Sequence, residues 1–129
     1  MSEEEKKSYH TFRNEIKASN SCFLVNTLYR KGIVLNECAF NHLQVKGQVQ
    51  VTFGSSSIYI GSNLDGSHIK SPIYLDDNSY YIFDYKLIKF IEYFYSFSFD
   101  SIEKIIQIPF KTEFYLGKPV IVLEIKNLK

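Results

Sequence analysis

An α+β fold, with an N-terminal helix packed on a mainly antiparallel β-sheet, is the class the sequence predicts, and three observations carry it. Ser2 with Glu5 three residues on forms a capping box, and Glu3 and Glu4 place negative charge at the positive end of a helix. Residues 43–53 alternate, with Leu43, Val45, Val49, Val51 and Phe53 on one face and His42, Gln44, Lys46, Gln48, Gln50 and Thr52 on the other. Most of the remaining chain is short β-branched and aromatic runs broken by Gly, Pro, Asn and Asp. With 129 residues, of which 45% are hydrophobic and 16% aromatic, the chain has material for one packed domain over residues 1–129. That composition excludes a disordered tail, a collagen and a disulfide miniprotein.

The first helix carries Tyr9, Phe12 and Ile16 on one stripe and stops near Ser19-Asn20-Ser21. Strands are then expected at 22–29 and 32–36, on either side of an Arg30-Lys31-Gly32 turn, and along 43–53, where Gly47 marks a bulge or a bend. Gly54, Gly61 and Gly66 punctuate a loop-rich ribbon. It is followed by strand candidates at 72–76 and 79–85, with a turn at Asp76-Asp77-Asn78 between them. Segment 85–97 reads two ways. Its aromatic and β-branched load favours a strand, whereas Lys86, Lys89, Glu92, Tyr93 and Ser96 make the polar face of a second helix. Strands at 102–110 and 118–126 complete the sheet.

A net charge of +1 supplies no long-range field toward nucleic acid or an anionic membrane, so such binding would rest on a local patch. Residues 32–85 are the acidic part, with only Lys46 and Lys70 against Glu37, Asp65, Asp76, Asp77 and Asp84. Cys22 and Cys38 have no CxxC partner and read as two buried thiols in a reducing compartment. The N-terminus has acidic residues where a secretory signal needs basic ones, and the apolar run at 90–99 is half the length of a membrane span. These features predict a cytoplasmic protein without a membrane segment.

No enzyme is expected. His10, His42 and His68 lack a Ser, Cys or Asp partner at a telling spacing. Ser55-Ser56-Ser57 follows a glycine but lacks the G-x-S-x-G elbow, and no G-K-[ST] completes a phosphate loop. Asp76-Asp77 lacks the spacing of a calcium loop, so neither a metal nor a cofactor is called for.

Three colinear segments carry a resemblance: His42 through LQVKGQVQVTFGSS to Ser56, SHIKSPIYLDDNSYYIFDY at 67–85, and EKIIQIPFKTEF at 103–114. Together they resemble the ComK family of bacterial competence transcription factors. The matched positions are Phe53, Gly54, Ser55, Ser56, Gly61, Lys70, Pro72 and Ile73. The resemblance implies an intracellular activator that binds AT-rich duplex DNA, largely in the minor groove, as an oligomer, and that is removed through an adaptor and an ATP-dependent protease. Gly61 is followed by Ser62 and Asn63 where the family has basic residues, and the chain ends at Lys129, short of the family's C-terminal region. A weakened DNA contact is therefore expected.

Two functions compete. As a DNA-binding regulator, the chain would contact phosphate through Lys46 and Lys70, with Arg30 and Lys31 adding a second contact, and Ser55, Ser56 and Asn63 hydrogen bonding in the minor groove. As a protein-interaction module, such as an inhibitor, immunity or anti-defence protein, it would bind a protein partner or a second copy through Tyr80, Tyr81, Tyr93 and Tyr95. The discriminating feature is whether Arg30, Lys31, Lys46, Lys70, Lys86 and Lys89 gather on one face.

Overall fold

The computed structural model describes residues 22–27, 30–64, 69–76, 79–96 and 104–125. They form strands β1 (Cys22–Asn26), β2 (Lys31–Leu35), β3 (Gln48–Phe53), β4 (Ser57–Gly61), β5 (Ile69–Pro72), β6 (Tyr74–Asp76), β7 (Ser79–Phe83), β8 (Lys104–Ile108), β9 (Phe110–Tyr115) and β10 (Lys118–Glu124), with helices α1 (Glu37–Leu43) and α2 (Tyr85–Phe94). The structure is thus mostly antiparallel strand with two helices. The predicted N-terminal helix lies outside the described residues.

Two five-stranded sheets, β6-β7-β2-β1-β8 and β5-β3-β4-β10-β9, share two corners. At the first, β5 ends at Pro72 and β6 starts at Tyr74; at the second, Pro109 alone separates β8 from β9. Proline cannot donate to a ladder, so each sits where a strand leaves one sheet for the other. The ladders run on through both bends: Ile73 N–H donates to the Gly47 carbonyl at 3.1 Å, and Glu124 N–H to the Pro109 carbonyl at 2.9 Å. Ten strands with two continuous pairs therefore make a closed antiparallel circuit of eight, a size whose interior side chains fill completely.

Leu24, Ile33 and Leu35 from one sheet meet Val49, Val51, Ile58, Ile60, Ile121 and Leu123 from the other in a single core. The first sheet is buried on its outer face as well, where Phe23, Val25, Val34 and Tyr81 form a second cluster with Phe83 and Ile105. Hence β1 and β2 are continuous apolar runs.

The helices close opposite ends of the circuit. Helix α1 leaves from the Leu35 end of β2 and sends Ala39 and Leu43 into the core, its start capped by Asn36 Oδ1, which accepts the Ala39 N–H at 2.8 Å. This helix replaces the first part of the strand expected from 43. Leu43 is apolar because it faces the core from a helix, and Gly47 stands in the connection before β3.

Segment 85–97 is helical over α2, not a strand. Leu87, Ile88 and Ile91 are its buried positions, a helical spacing, and Asp84 Oδ1 accepts the Lys86 N–H at 2.9 Å. The other carboxylate oxygen of Asp84 accepts from the Ser71 hydroxyl at 3.0 Å, tying the start of the helix to β5. Burial of the helix on a core edge outweighs the strand propensity of its aromatics.

Backbone conformation at two positions is decisive. Gly32 has φ 153°, and a Cβ there would run into the Ile82 carbonyl of the neighbouring strand β7. Leu116 and Gly117, with φ 51° and 79°, make the two-residue turn between β9 and β10, and both adopt the positive φ of a type I′ hairpin. In urea denaturation, Gly32→Ala is expected to cost about 3 kcal/mol or more. Leu116→Asn is expected to add roughly 0.5–1 kcal/mol, because asparagine tolerates the left-handed region that strains leucine.

Candidate functional site

The strongest surface feature lies on α2. Tyr85, Phe90, Tyr93 and Phe94 are 55, 47, 85 and 50% exposed; Tyr93 lies on the side away from the buried Leu87, Ile88 and Ile91, while Phe90 and Phe94 flank that buried face next to Phe53. Phe53, at the end of β3, backs this shelf. Its ring centroid lies 6.0 Å from that of Phe90, 5.8 Å from Phe94 and 6.2 Å from Tyr95. Tyr95 fixes the C-terminal end of the shelf by donating its hydroxyl hydrogen to the Ser57 carbonyl at 3.0 Å. Burial, with a smaller contribution from Tyr59, raises its pKa above the ordinary 10.0.

Of the four tyrosines expected to anchor a partner, Tyr93 is the one fully in solvent. Tyr95 is half-buried behind Phe53 and Phe94. Tyr80 stacks on Phe40 with centroids 3.7 Å apart. Tyr81 is 3% exposed and packs beside Phe83 in the second cluster, so it is a core residue rather than an anchor. Phe90 and Phe94, which a strand reading of 85–97 hides, take their place; the helical period of α2 is the signal that finds them.

The six cations do not share one face: Arg30, Lys31, Lys86 and Lys89 lie at the α2 end, and Lys46 and Lys70 stand apart from them. Arg30 lies 5.8 Å over the Phe83 ring, and Lys31 Nζ donates to Asn26 Oδ1 at 2.8 Å and to the Thr27 carbonyl at 3.0 Å. Lys89 stands 3.8 Å from Glu92 and 5.3 Å over Tyr85. Lys31, Lys89 and Glu92 share the lining of one cavity of about 200 Å³, which places them with Lys86 at the α2 end. Lys46 is exposed in the α1–β3 connection at the opposite end, and Lys70 sits on β5 across from Gln50. Ser55 and Ser56 are exposed at the tip of the β3–β4 hairpin, while Asn63 is exposed beyond the far end of β4, roughly 16 Å along the strand. The predicted DNA contacts are thus spread over two ends of the molecule.

A groove of about 540 Å³ crosses the outer face of the second sheet. Its floor is Tyr59, Val120 and Val122, and Leu64 closes one side, its N–H donating to Gln50 Oε1 at 2.7 Å. Lys111 on the rim is held by Glu124 at 2.8 Å. His42, expected on the polar face of a strand, ends α1; its Nε2–H donates to the Glu113 carbonyl at 2.8 Å and its ring meets Phe114 edge-on.

The cysteines differ from expectation. Cys22 is fully buried, and desolvation pushes its thiol up to about 12, but Cys38 is exposed on the outer side of α1. His10, His68, Asp65 and Asp77 lie outside the described residues. Among the described residues no helix is long and apolar enough to cross a membrane.

Compared with known protein families, curated proteins and solved structures, the chain matches none.

In the native state a thiol reagent is expected to label Cys38 quickly and Cys22 only after unfolding, giving one fast equivalent and then a second. The raised pKa of Tyr95 sets a second expectation. Folding holds its proton more tightly than the unfolded chain does, so its contribution to stability is complete below pH 10 and is lost as pH rises beyond that. Tyr95→Phe should therefore be about 1 kcal/mol less stable at neutral pH, and the gap to wild type should narrow above pH 10 in denaturation at several pH values.

Proposed function

We propose that the chain is a protein-interaction module whose docking surface is the aromatic shelf of α2. One observation carries this reading: Phe90 and Phe94, half exposed beside Phe53, and Tyr93, 85% exposed, present aromatic surface from a helix whose Leu87, Ile88 and Ile91 are engaged by the core. Exposing three large aromatics together is costly unless a partner covers them, and clustered aromatics are the usual anchors of interface energy. Phe53 stiffens the shelf from behind, so little side-chain freedom is lost on binding.

The alternative, a ComK-like regulator of AT-rich DNA, requires cations aligned along a phosphate backbone. Lys46 lies at the opposite end from Lys31, Lys86 and Lys89, while Lys31 and Lys89 already have partners within the chain. That distribution favours a protein partner over a duplex.

The two readings separate cleanly in solution. Fluorescence anisotropy with AT-rich and GC-rich duplexes is expected to show no binding at about 50 mM salt; tight, AT-preferring binding that falls away by about 200 mM would replace the protein-docking reading with the regulator. In affinity capture from the native host, Phe90→Ser with Phe94→Ser is expected to lower recovery of the bound protein at least about ten-fold. The melting temperature should stay within a few degrees of wild type, because both side chains are half in solvent.

A further inference from the structure

We propose that β9 pairs edge to edge with β9 of a second copy of the chain, antiparallel about a two-fold axis at Thr112. Among the described residues β9 is the border strand of the second sheet: its ladder is with β10, and the one further bond on it is from the His42 side chain to the Glu113 carbonyl. Its neighbouring turn has two residues, so Tyr115 and Lys118, which flank the turn, form a hydrogen-bonded pair, and from there bonded and non-bonded pairs alternate. Glu113 and Lys111 therefore turn their backbone groups toward β10, while Phe110, Thr112 and Phe114 turn theirs outward. Pro119 opposite Phe114 agrees with this, since proline has no N–H to give across that pair.

Those three outward residues are the ones a second strand would meet. When β9 faces an inverted copy of itself centred on Thr112, Thr112 meets Thr112, Phe110 meets Phe114, and Lys111 meets Glu113 on both sides of the axis. The run Phe110-Lys111-Thr112-Glu113-Phe114 is thus self-complementary in charge and in apolar character, and only in this register. Side chains on the strand remain accessible: Phe114, which meets His42 edge-on, and Leu116 are 70 and 75% exposed, and Lys111 is exposed although it is ion-paired with Glu124 of β10. Lysine and glutamate on an edge ordinarily repel a foreign strand, but here each finds its opposite. The result is one sheet continuous across two molecules, with the apolar turn at Leu116 brought beside the partner.

Sedimentation velocity on the full chain from about 1 to 200 μM tests this, with circular dichroism confirming the fold of each variant. Wild type is expected to shift from monomer to dimer across that range. Glu113→Lys and Lys111→Glu, each placing like charges opposite one another twice, are expected to weaken the dimer about ten-fold or more, and the double swap to restore it. Phe90→Ser with Phe94→Ser is expected to leave it unchanged, which separates this dimer from docking on the α2 shelf. A wild-type monomer at the highest concentration, or a dimer indifferent to both single swaps, or a double swap that fails to restore association, overturns the proposal.

Discussion

The structure depends on two bends. At Pro72-Ile73 and at Pro109 a single strand passes from one sheet into the other without losing its ladder, because Gly47 and Glu124 supply the hydrogen bonds that a proline corner would otherwise forfeit. Were both corners absent, the result would be two separate five-stranded sheets with four open borders; with one alone, a single open sheet. With both, the inward faces enclose one core, and the borders shrink to short stretches beside the corners. Everything exposed on the molecule is placed by that closure. The α1 and α2 helices occupy the open ends of the circuit, so the side of α2 away from the core has nothing left to pack on within the described residues, and β9 runs past the corner with one border unpaired.

This arrangement separates stability from interaction. Leucine, isoleucine and valine fill the interior almost alone, whereas the aromatics go to the periphery: Phe53, Phe90 and Phe94 at one end, Phe110 and Phe114 on the border strand, Phe40 against Tyr80. An eight-stranded circuit has an interior too narrow for many rings once both ends are plugged by helices. Among the described residues the aromatics therefore lie at the rim of the central core, on the surface and in the outer cluster on the first sheet, and not inside the central core.

Much of the sheet was legible in the sequence. Val49 and Val51 alternate with Gln48 and Gln50 as β3 requires, and the β-branched runs at 104–108 and 118–124 are strands as composition alone suggests. What was not legible has physical causes. Helix α1 is only seven residues long and rests on the Asn36 cap and two core contacts, Ala39 and Leu43, too few to show a period. In α2 the exposed positions mix Lys86 and Lys89 with the rings of Tyr85, Phe90, Tyr93 and Phe94, which blurs the helical pattern, although Asp84 as a cap was there to be read. Pro109 falls inside the single strand expected at 102–110; its role as a corner depends on β1 and β10, which lie far away in sequence. The candidate site suffered most, because the shelf exists only when α2 is a helix and Phe53 arrives behind it from another strand.

The position of β10 carries a consequence for biosynthesis. It is inserted between β4 and β9, and its register with β4 joins residues some sixty positions apart, such as Tyr59 and Val122. A nascent chain can form the β1–β2 and β3–β4 hairpins early, but the circuit stays open until Glu124 has left the ribosome. Until then Ile58 and Ile60 lack their neighbours on β10, so over the second half of synthesis the partly made protein exposes an apolar strand that the finished fold buries.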